Sequence, residues 1–139
     1  MTDHQVAQLS TADRLEVLEL LASLNHLFDD GDGAGFAGCF TPEGVLESSR
    51  GSYVGRAEIQ QYVASAADRP PHLHYTTNSV IRRNDLGPGL TARSNYLYVE
   101  QALPKEITAC LAGTYLDTIV RQDDSWRIAH RIARSVRSS

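Results

Sequence analysis

Apolar positions recur with helical spacing in the first half of the chain and follow strand-like patterns in the second half. Over residues 11–29, apolar side chains return every three or four positions, which is typical of a helix with one covered side. Ser10 or Thr11 can cap the start of this helix, and the Asp- and Gly-rich segment 29–33 can end it. Two shorter helices are predicted over 33–40 and 56–67.

The rest of the chain is predicted to form strands joined by short turns. Strand-favouring Tyr, Thr, Val and Ile are frequent over 72–83, directly after two prolines that end the preceding helix. Consecutive strands with short connections predict an antiparallel meander, and helices before strands predict the α+β class. We expect a cone-shaped barrel in which a strongly curved antiparallel sheet wraps around three N-terminal helices. The predicted strands are 45–48, 50–55, 72–83, 90–101, 106–121 and 126–136.

The predicted strand 72–83 carries a row of polar side chains on one face. Side chains of a strand alternate between its two faces, so His72, His74, Thr76 and Asn78 should point the same way. Polar groups inside a small fold need hydrogen-bond partners or water, and a polar row that lines a ligand pocket can use its polarity on the ligand. A concave sheet is where such a pocket forms, so this face is a candidate pocket wall.

Length and composition fit one domain over 1–139, with 1–9 as a loose lead-in. The formal charge of −4 argues against nucleic-acid binding, and no apolar run is long enough to cross a membrane. The N-terminus lacks the basic and apolar regions of a signal peptide, so a cytoplasmic location is expected. Cys39 and Cys110 match no metal spacing and are predicted to be inert core thiols.

Other readings of the candidate residues stay open from the sequence alone. Asp29 fits a solvated helix end, although a carboxylate there opposes the helix macrodipole and so argues for another use. His26, about one turn earlier, could face the pocket mouth or be an exposed helix residue. His72 and His74 could bind a metal together, but no third ligand lies at useful spacing, so neither metal nor cofactor is expected.

Six short segments, in a fixed order, carry a family resemblance over about residues 10–135. They are similar to segments of the SnoaL-like branch of the nuclear transport factor 2-like superfamily, in particular the group of lindane dehydrochlorinase, bile-acid dehydratase and scytalone dehydratase. The segments are 28–32 (Phe-Asp-Asp-Gly-Asp), 40–44 (Phe-Thr-Pro-Glu-Gly), 51–56 with Ile59, 74–78 (His-Tyr-Thr-Thr-Asn), 113–117 (Gly-Thr-Tyr-Leu-Asp) and 126–128 with Arg131.

The resemblance implies an elimination reaction carried by an Asp–His pair. In that group, an Asp at the end of the first helix pairs with a His in a His-x-x-x-Asn strand, which corresponds here to Asp29 and His74. The chain departs from the bile-acid enzymes at Leu24, where they carry a Tyr. An arginine of the family near the last strand could correspond to Arg131.

The predicted function is that of a cofactor-independent lyase or isomerase acting on a hydrophobic cyclic small molecule. Imidazole titrates near neutral pH, and a carboxylate on its other nitrogen fixes the tautomer and stabilises the cation. His74 would be the general base and Asp29 its partner. The candidate substrate-binding residues are Tyr53, Tyr96, Asn78, Arg131, His26 and His72.

Several alternative functions, and a homo-oligomeric assembly, fit the same residues. The fold could serve as a non-catalytic binding or assembly module, because fold does not determine function. Polyketide cyclisation or epoxide hydrolysis are further alternatives, and the latter would need Asp117 to point inward beside Arg131. A homodimer or homotrimer is expected, because a sheet face with Tyr115, Leu116 and Ile119 would gain from being covered.

Overall fold

A computed structural model describes residues 9–136, so all but one residue of the predicted lead-in lie outside the described part. The helices come mainly before the long strands, which confirms the predicted α+β class. The elements are α1 (Thr11–Asp29), α2 (Gly33–Gly38), β1 (Phe40–Ser48), β2 (Gly51–Val54), α3 (Gly55–Ala64), β3 (His72–Arg83), β4 (Leu90–Leu103), β5 (Glu106–Gln122) and β6 (Ser125–Ser135).

Helix α1 is capped as its sequence suggests. The Ser10 side chain accepts a hydrogen bond from the backbone N–H of Asp13 at 3.0 Å, which satisfies one free donor at the helix start. Gly31, just beyond the helix end, has a φ of 76°, which glycine adopts without steric cost. None of the described helices is long and apolar enough to cross a membrane.

The six strands form one curved sheet in the order β2-β1-β6-β5-β4-β3. Neighbouring strands run antiparallel except β1 and β6, which pair in parallel, so the expectation of a purely antiparallel sheet is wrong at this pair. A sequence pattern predicts pairing between consecutive strands, whereas β1 and β6 lie near opposite ends of the chain. Strand β1 also begins earlier than predicted, because Pro42 and Gly44 lie at a register shift and not in a turn.

A bulge interrupts the alternation of β3 after Thr77. The register with β4 shifts between Thr77 and Val80, and Asn78 has a φ of 59°, a left-handed conformation that Asn tolerates. His72, His74 and Thr76 therefore face inward as predicted, but Asn78 is exposed. Ser79 takes the next inward position, where its hydroxyl lies 2.8 Å from that of Ser94.

The hydrophobic core lies between the helices and the concave face of the sheet. Phe40, Ile59, Ile119 and Ile128 are fully buried in it. The β4–β5 hairpin extends beyond this core, and every residue over 101–112 is exposed. Cys110 lies on that extension, so its predicted place in the core is wrong, whereas Cys39 is part-buried and donates to a backbone carbonyl.

Candidate active site around Asp29 and His74

Asp29, the last residue of α1, holds His74 of β3 through both carboxylate oxygens. His74 Nδ1 lies 2.6 Å from Asp29 Oδ1, and the backbone N–H of His74 donates to Oδ2 at 2.8 Å. An ionised carboxylate only accepts hydrogen bonds, so Nδ1 carries the proton and Nε2 of the neutral ring keeps a lone pair. The side chain of Asp29 is 8% exposed and that of His74 is 13% exposed. This geometry fits the predicted pair, while its catalytic role stays a prediction.

The position of Asp29 explains how a carboxylate is stabilised at an unfavourable helix end. The negative end of the α1 macrodipole disfavours an anion, and two donors from His74 offset this. Phe28, the preceding residue, places its ring edge-on to His74 at a centroid distance of 4.8 Å. Asn25, one turn earlier, donates to the Thr76 hydroxyl at 2.8 Å. The end of α1 is therefore fixed to β3 at two successive inward positions, His74 and Thr76.

Tyrosines surround the imidazole and stay protonated at neutral pH. The Tyr98 ring lies 4.8 Å from His74, and its hydroxyl donates to Glu100 at 2.6 Å. Burial and that hydrogen bond raise the pKa of Tyr98 to about 12. Burial also raises the pKa of Tyr62 and Tyr96 above the usual value. The Tyr62 and Tyr96 hydroxyls are therefore neutral groups that can donate hydrogen bonds to a ligand, whereas the Tyr98 hydroxyl already donates to Glu100.

A buried ion pair lies beside this aromatic group. Arg131 donates to Asp117 from Nε at 2.7 Å and from a terminal nitrogen at 3.0 Å, and both residues are nearly inaccessible to solvent. Burial lowers the pKa of Arg131, but the Asp117 carboxylate more than offsets this and holds it above the ordinary value. Tyr115 lies under the guanidinium, 3.8 Å from its carbon. The sequence left open which way Arg131 points, and the structure places it inward with its positive charge fixed.

Two small cavities adjoin His74. One, of about 20 Å³, is lined by His74, Tyr62 and Arg131, and has room for about one water molecule. The other, of about 70 Å³, is lined by His74, Tyr96 and Tyr98. Both are smaller than the roughly 300 Å³ from which small-molecule pockets usually start.

A much larger outer cavity, of about 560 Å³, lies between the end of α1 and the segment 63–72. It is bordered by Asp29 and His72 but not by His74. Of the residues that line it, Phe28 also borders the smaller inner cavity and Arg69 the larger one. The outer cavity therefore adjoins the site from the side of the carboxylate.

The remaining predicted residues separate into two groups. Tyr96 lines an inner cavity and stacks on Tyr115 at 4.6 Å, and His72 lies beside Asp29. Tyr53 instead packs on Tyr62 at 4.8 Å and borders none of the three cavities described above. The structure also moves two residues away from the site: Asn78, because of the bulge, and His26, which lies on the exposed side of α1.

Asn25 and Tyr62 line the smaller inner cavity, although the sequence did not point to them. Asn25 precedes Asp29 by one helical turn, and this i,i+4 spacing was the signal that could have identified it. Tyr62 looked like an ordinary apolar position of α3. Within residues 9–136, no group of three His, Cys, Asp or Glu side chains is arranged to hold a metal ion.

Comparisons with known proteins agree with the fold. A family model described as a SnoaL-like domain matches residues 10–132, and no curated protein matches the chain in sequence. A protein of unknown function from Mycobacterium tuberculosis superposes with a TM-score of 0.83 at 29% identity, over 91% of this chain and 73% of that one.

Two further solved structures share the fold at lower identity. A nuclear transport factor 2-like protein with a cystatin-like fold from Novosphingobium aromaticivorans superposes with a TM-score of 0.82 at 20% identity, over 92% of this chain and 84% of that one. A protein from Catenulispora acidiphila in complex with S-DNPA superposes with a TM-score of 0.78 at 24% identity, over 91% of this chain and 95% of that one. The family match confirms the predicted SnoaL-like resemblance, and the solved structures confirm the fold of nuclear transport factor 2-like proteins.

Proposed function

This chain belongs to the SnoaL-like family, and we propose that it is a cofactor-independent lyase or isomerase for a hydrophobic cyclic small molecule. The observation that carries the proposal is the double contact of Asp29 with His74, at 2.6 and 2.8 Å. It leaves the Nε2 lone pair of His74 as the proton acceptor, on a side chain that lines both inner cavities.

The proposed reaction begins when His74 Nε2 takes a proton from a substrate carbon. The electrons of the broken C–H bond form a double bond, and a leaving group on the neighbouring carbon departs with its own bonding pair. Asp29 stabilises the imidazolium that forms, as a carboxylate does for a catalytic histidine. In an isomerisation the same proton returns to a different carbon. General acid–base help of this kind contributes roughly 10²–10⁴-fold to a rate.

Arg131 and Tyr96 are the proposed substrate-binding groups. The Arg131 guanidinium borders the inner cavity beside His74, where a fixed positive charge can stabilise a departing anion or a developing oxyanion. Tyr96 supplies an aromatic wall and a neutral hydroxyl. The complex of the Catenulispora acidiphila protein with S-DNPA supports small-molecule binding by this fold. The proposed site leaves out Tyr53, which borders neither inner cavity, and Asn78 and His26, which are exposed.

A non-catalytic binding module is the second candidate, and the small inner cavities favour it. Cavities of about 20 and 70 Å³ cannot hold a cyclic substrate unless wall side chains move. Arg69 and Tyr98, with the guanidinium 5.4 Å above the ring, stand at the larger inner cavity and are candidates for that movement. Epoxide hydrolysis has less support, because both oxygens of Asp117 are already used by Arg131.

Proton abstraction can be tested before the natural substrate is known. We would incubate the protein in D₂O with small cyclic compounds that carry a hydroxyl or halide next to an acidic C–H, and follow deuterium incorporation and elimination by NMR. The His74→Ala variant should lose activity by roughly 10²–10⁴-fold. Asp29→Asn should also be slower, since the cation on His74 loses its partner.

The matched control is His130→Ala, which removes a histidine that pairs with Glu47 away from the site. It should keep the wild-type rate, and circular dichroism should show that all variants fold. A compound that binds without proton exchange, with equal affinity for wild type and His74→Ala, would favour the binding module. Turnover of such a compound by His74→Ala at the wild-type rate would refute the assignment of the base.

A further inference from the structure

His72 carries a buried ring nitrogen without a hydrogen-bond partner. Its Nε2 is inaccessible to solvent and lies 3.7 Å from Asp29 Oδ1, the oxygen that already accepts from His74. The side chain as a whole is only 11% exposed. Buried polar atoms are nearly always paired, so this one calls for a physical explanation.

The other nitrogen of His72 determines where its proton lies. Nδ1 is 2.9 Å from the carbonyl oxygen of Pro70. A carbonyl can only accept, so Nδ1 must carry a proton, and Nε2 of the neutral ring then presents a lone pair. Two acceptors, Nε2 and the Asp29 oxygen, consequently face each other with no proton between them. A proton on Nε2 would turn this unfavourable contact into a charge-assisted hydrogen bond.

We propose that His72 is a positioning residue that takes up a proton at Nε2 and thereby withdraws Asp29 from His74. The proton comes from water and returns to it, and no other bond changes. Once charged, His72 competes with His74 Nδ1–H for the single oxygen Oδ1. Its charge also opposes a second positive charge on His74, whose ring centroid is 6.0 Å away. Acid would therefore switch off the proton acceptor through its neighbour.

The surroundings of His72 offer a route for the proton and a balance of charges. The ring borders the outer cavity of about 560 Å³, and a small displacement would admit water from there. The titratable and charged groups around it are Asp29 of α1, Asp30 and Arg69 at the outer cavity, and His74 on the same strand. On β4, the Tyr98 ring lies 5.5 Å away, and its hydroxyl donates to Glu100, which is the strand partner of His72.

The role proposed for His72 rests on His74 being the general base, but the experiment measures the protonation of the two imidazole rings and not turnover. The ring C–H resonances of His74, assigned with a His74→Gln variant, would be followed by NMR between acid and neutral pH. In the wild type, His72 should take up the first proton, and its Nε2–H should become detectable. In His72→Gln, His74 should become charged at a pH higher by roughly one unit, the order expected for removing a competing charge about 6 Å away.

Two further variants separate competition from packing. His72→Phe keeps a ring against Phe28 and Tyr98 but cannot bind a proton, so it should shift the His74 curve in the same direction as His72→Gln. His130→Gln removes an equivalent histidine–carboxylate pair on another part of the fold and should leave the curve unchanged. The proposal is overturned if His72→Gln and His72→Phe both give the wild-type His74 curve, or if His74 is charged before His72. A catalytically inert protein could still give the expected NMR titration curves of His74. Failure of the proposed function would therefore be seen separately, in the D₂O experiment.

Discussion

At the scale of single residues, the buried Asp117–Arg131 pair carries a large electrostatic cost. Removing two charges from water is expensive, and only their direct contact, at 2.7 and 3.0 Å, offsets it. The Tyr115 ring under the guanidinium adds a cation–π contact. The pair fixes a positive charge next to His74, so its structural and proposed chemical roles depend on the same geometry.

Replacing Asp117 with Ala should destabilise the protein by about 3–5 kcal/mol, because Arg131 would remain buried with an uncompensated charge. Urea unfolding followed by circular dichroism measures this change. The control is Asp85→Ala, an exposed carboxylate in the β3–β4 turn, which should change stability by about 0.5 kcal/mol or less. Equal stability of Asp117→Ala and wild type would mean that the pair is not formed in solution.

Residue-level prediction from the sequence worked where a regular period decided the outcome. His74 lies on an uninterrupted stretch of strand, so alternation placed it on the inward side. Asp29 was identified as its partner by the family resemblance, because the residues alone also fit a solvated helix end. Arg131 and Asp117 could not be oriented in this way, because the register of β5 and β6 depends on tertiary pairing. The unpaired Nε2 of His72 was equally hidden, since it results from a three-dimensional contact with Asp29.

At the scale of elements, local patterns predicted most of the helices and strands, and irregularities caused the errors. The predicted strand 72–83 agrees with β3, and the predicted helix 11–29 agrees with α1. The bulge after Thr77 was not visible as a pattern, so Asn78 was assigned to the pocket when Ser79 is the residue that faces inward. The parallel β1–β6 pairing joins strands far apart in the chain, which no local signal specifies.

The bulge predicts a specific tolerance at Asn78. A non-glycine residue pays roughly 1–2 kcal/mol in the left-handed conformation, and Asn is among the residues that adopt it most readily. Asn78→Ala should therefore lower the free energy of unfolding by about 1 kcal/mol, whereas Asn78→Gly should be tolerated. Thr77→Ala, at the exposed neighbouring position, is the control in the same denaturant titration. If Ala and Gly at position 78 had equal effects, the left-handed bulge would not be present in solution.

At the scale of the whole molecule, the curved sheet separates an inner face that holds the candidate site from an outer face with exposed apolar side chains. The sequence predicted an uncovered face with Tyr115, Leu116 and Ile119, but adjacent strand residues point to opposite sides. Tyr115 and Ile119 are buried inside, and only Leu116 is exposed. A different outer group, formed by Leu73 and Tyr75 of β3 and Leu97 of β4, is 39–50% exposed, and Leu97 lies opposite Tyr75 in the strand pairing.

We propose that this outer group of Leu73, Tyr75 and Leu97 is covered by a second copy of the chain, in a homodimer or homotrimer. Leu73 and Tyr75 are successive outward residues of β3, and Leu97 lies opposite Tyr75, so the three side chains adjoin. Covering them gains the hydrophobic stabilisation that single exposed residues do not provide.

Sedimentation velocity tests this assembly. The wild type should sediment as a multiple of 15.3 kDa, and Leu97→Glu, which places a charge in the patch, should shift the distribution toward the monomer. The control is Leu86→Glu, since Leu86 is 98% exposed in the β3–β4 turn and far from this sheet face in register. It should leave the assembly unchanged. A wild-type protein that sediments only at 15.3 kDa across the micromolar range would refute the interface, and so would equal dissociation by both variants.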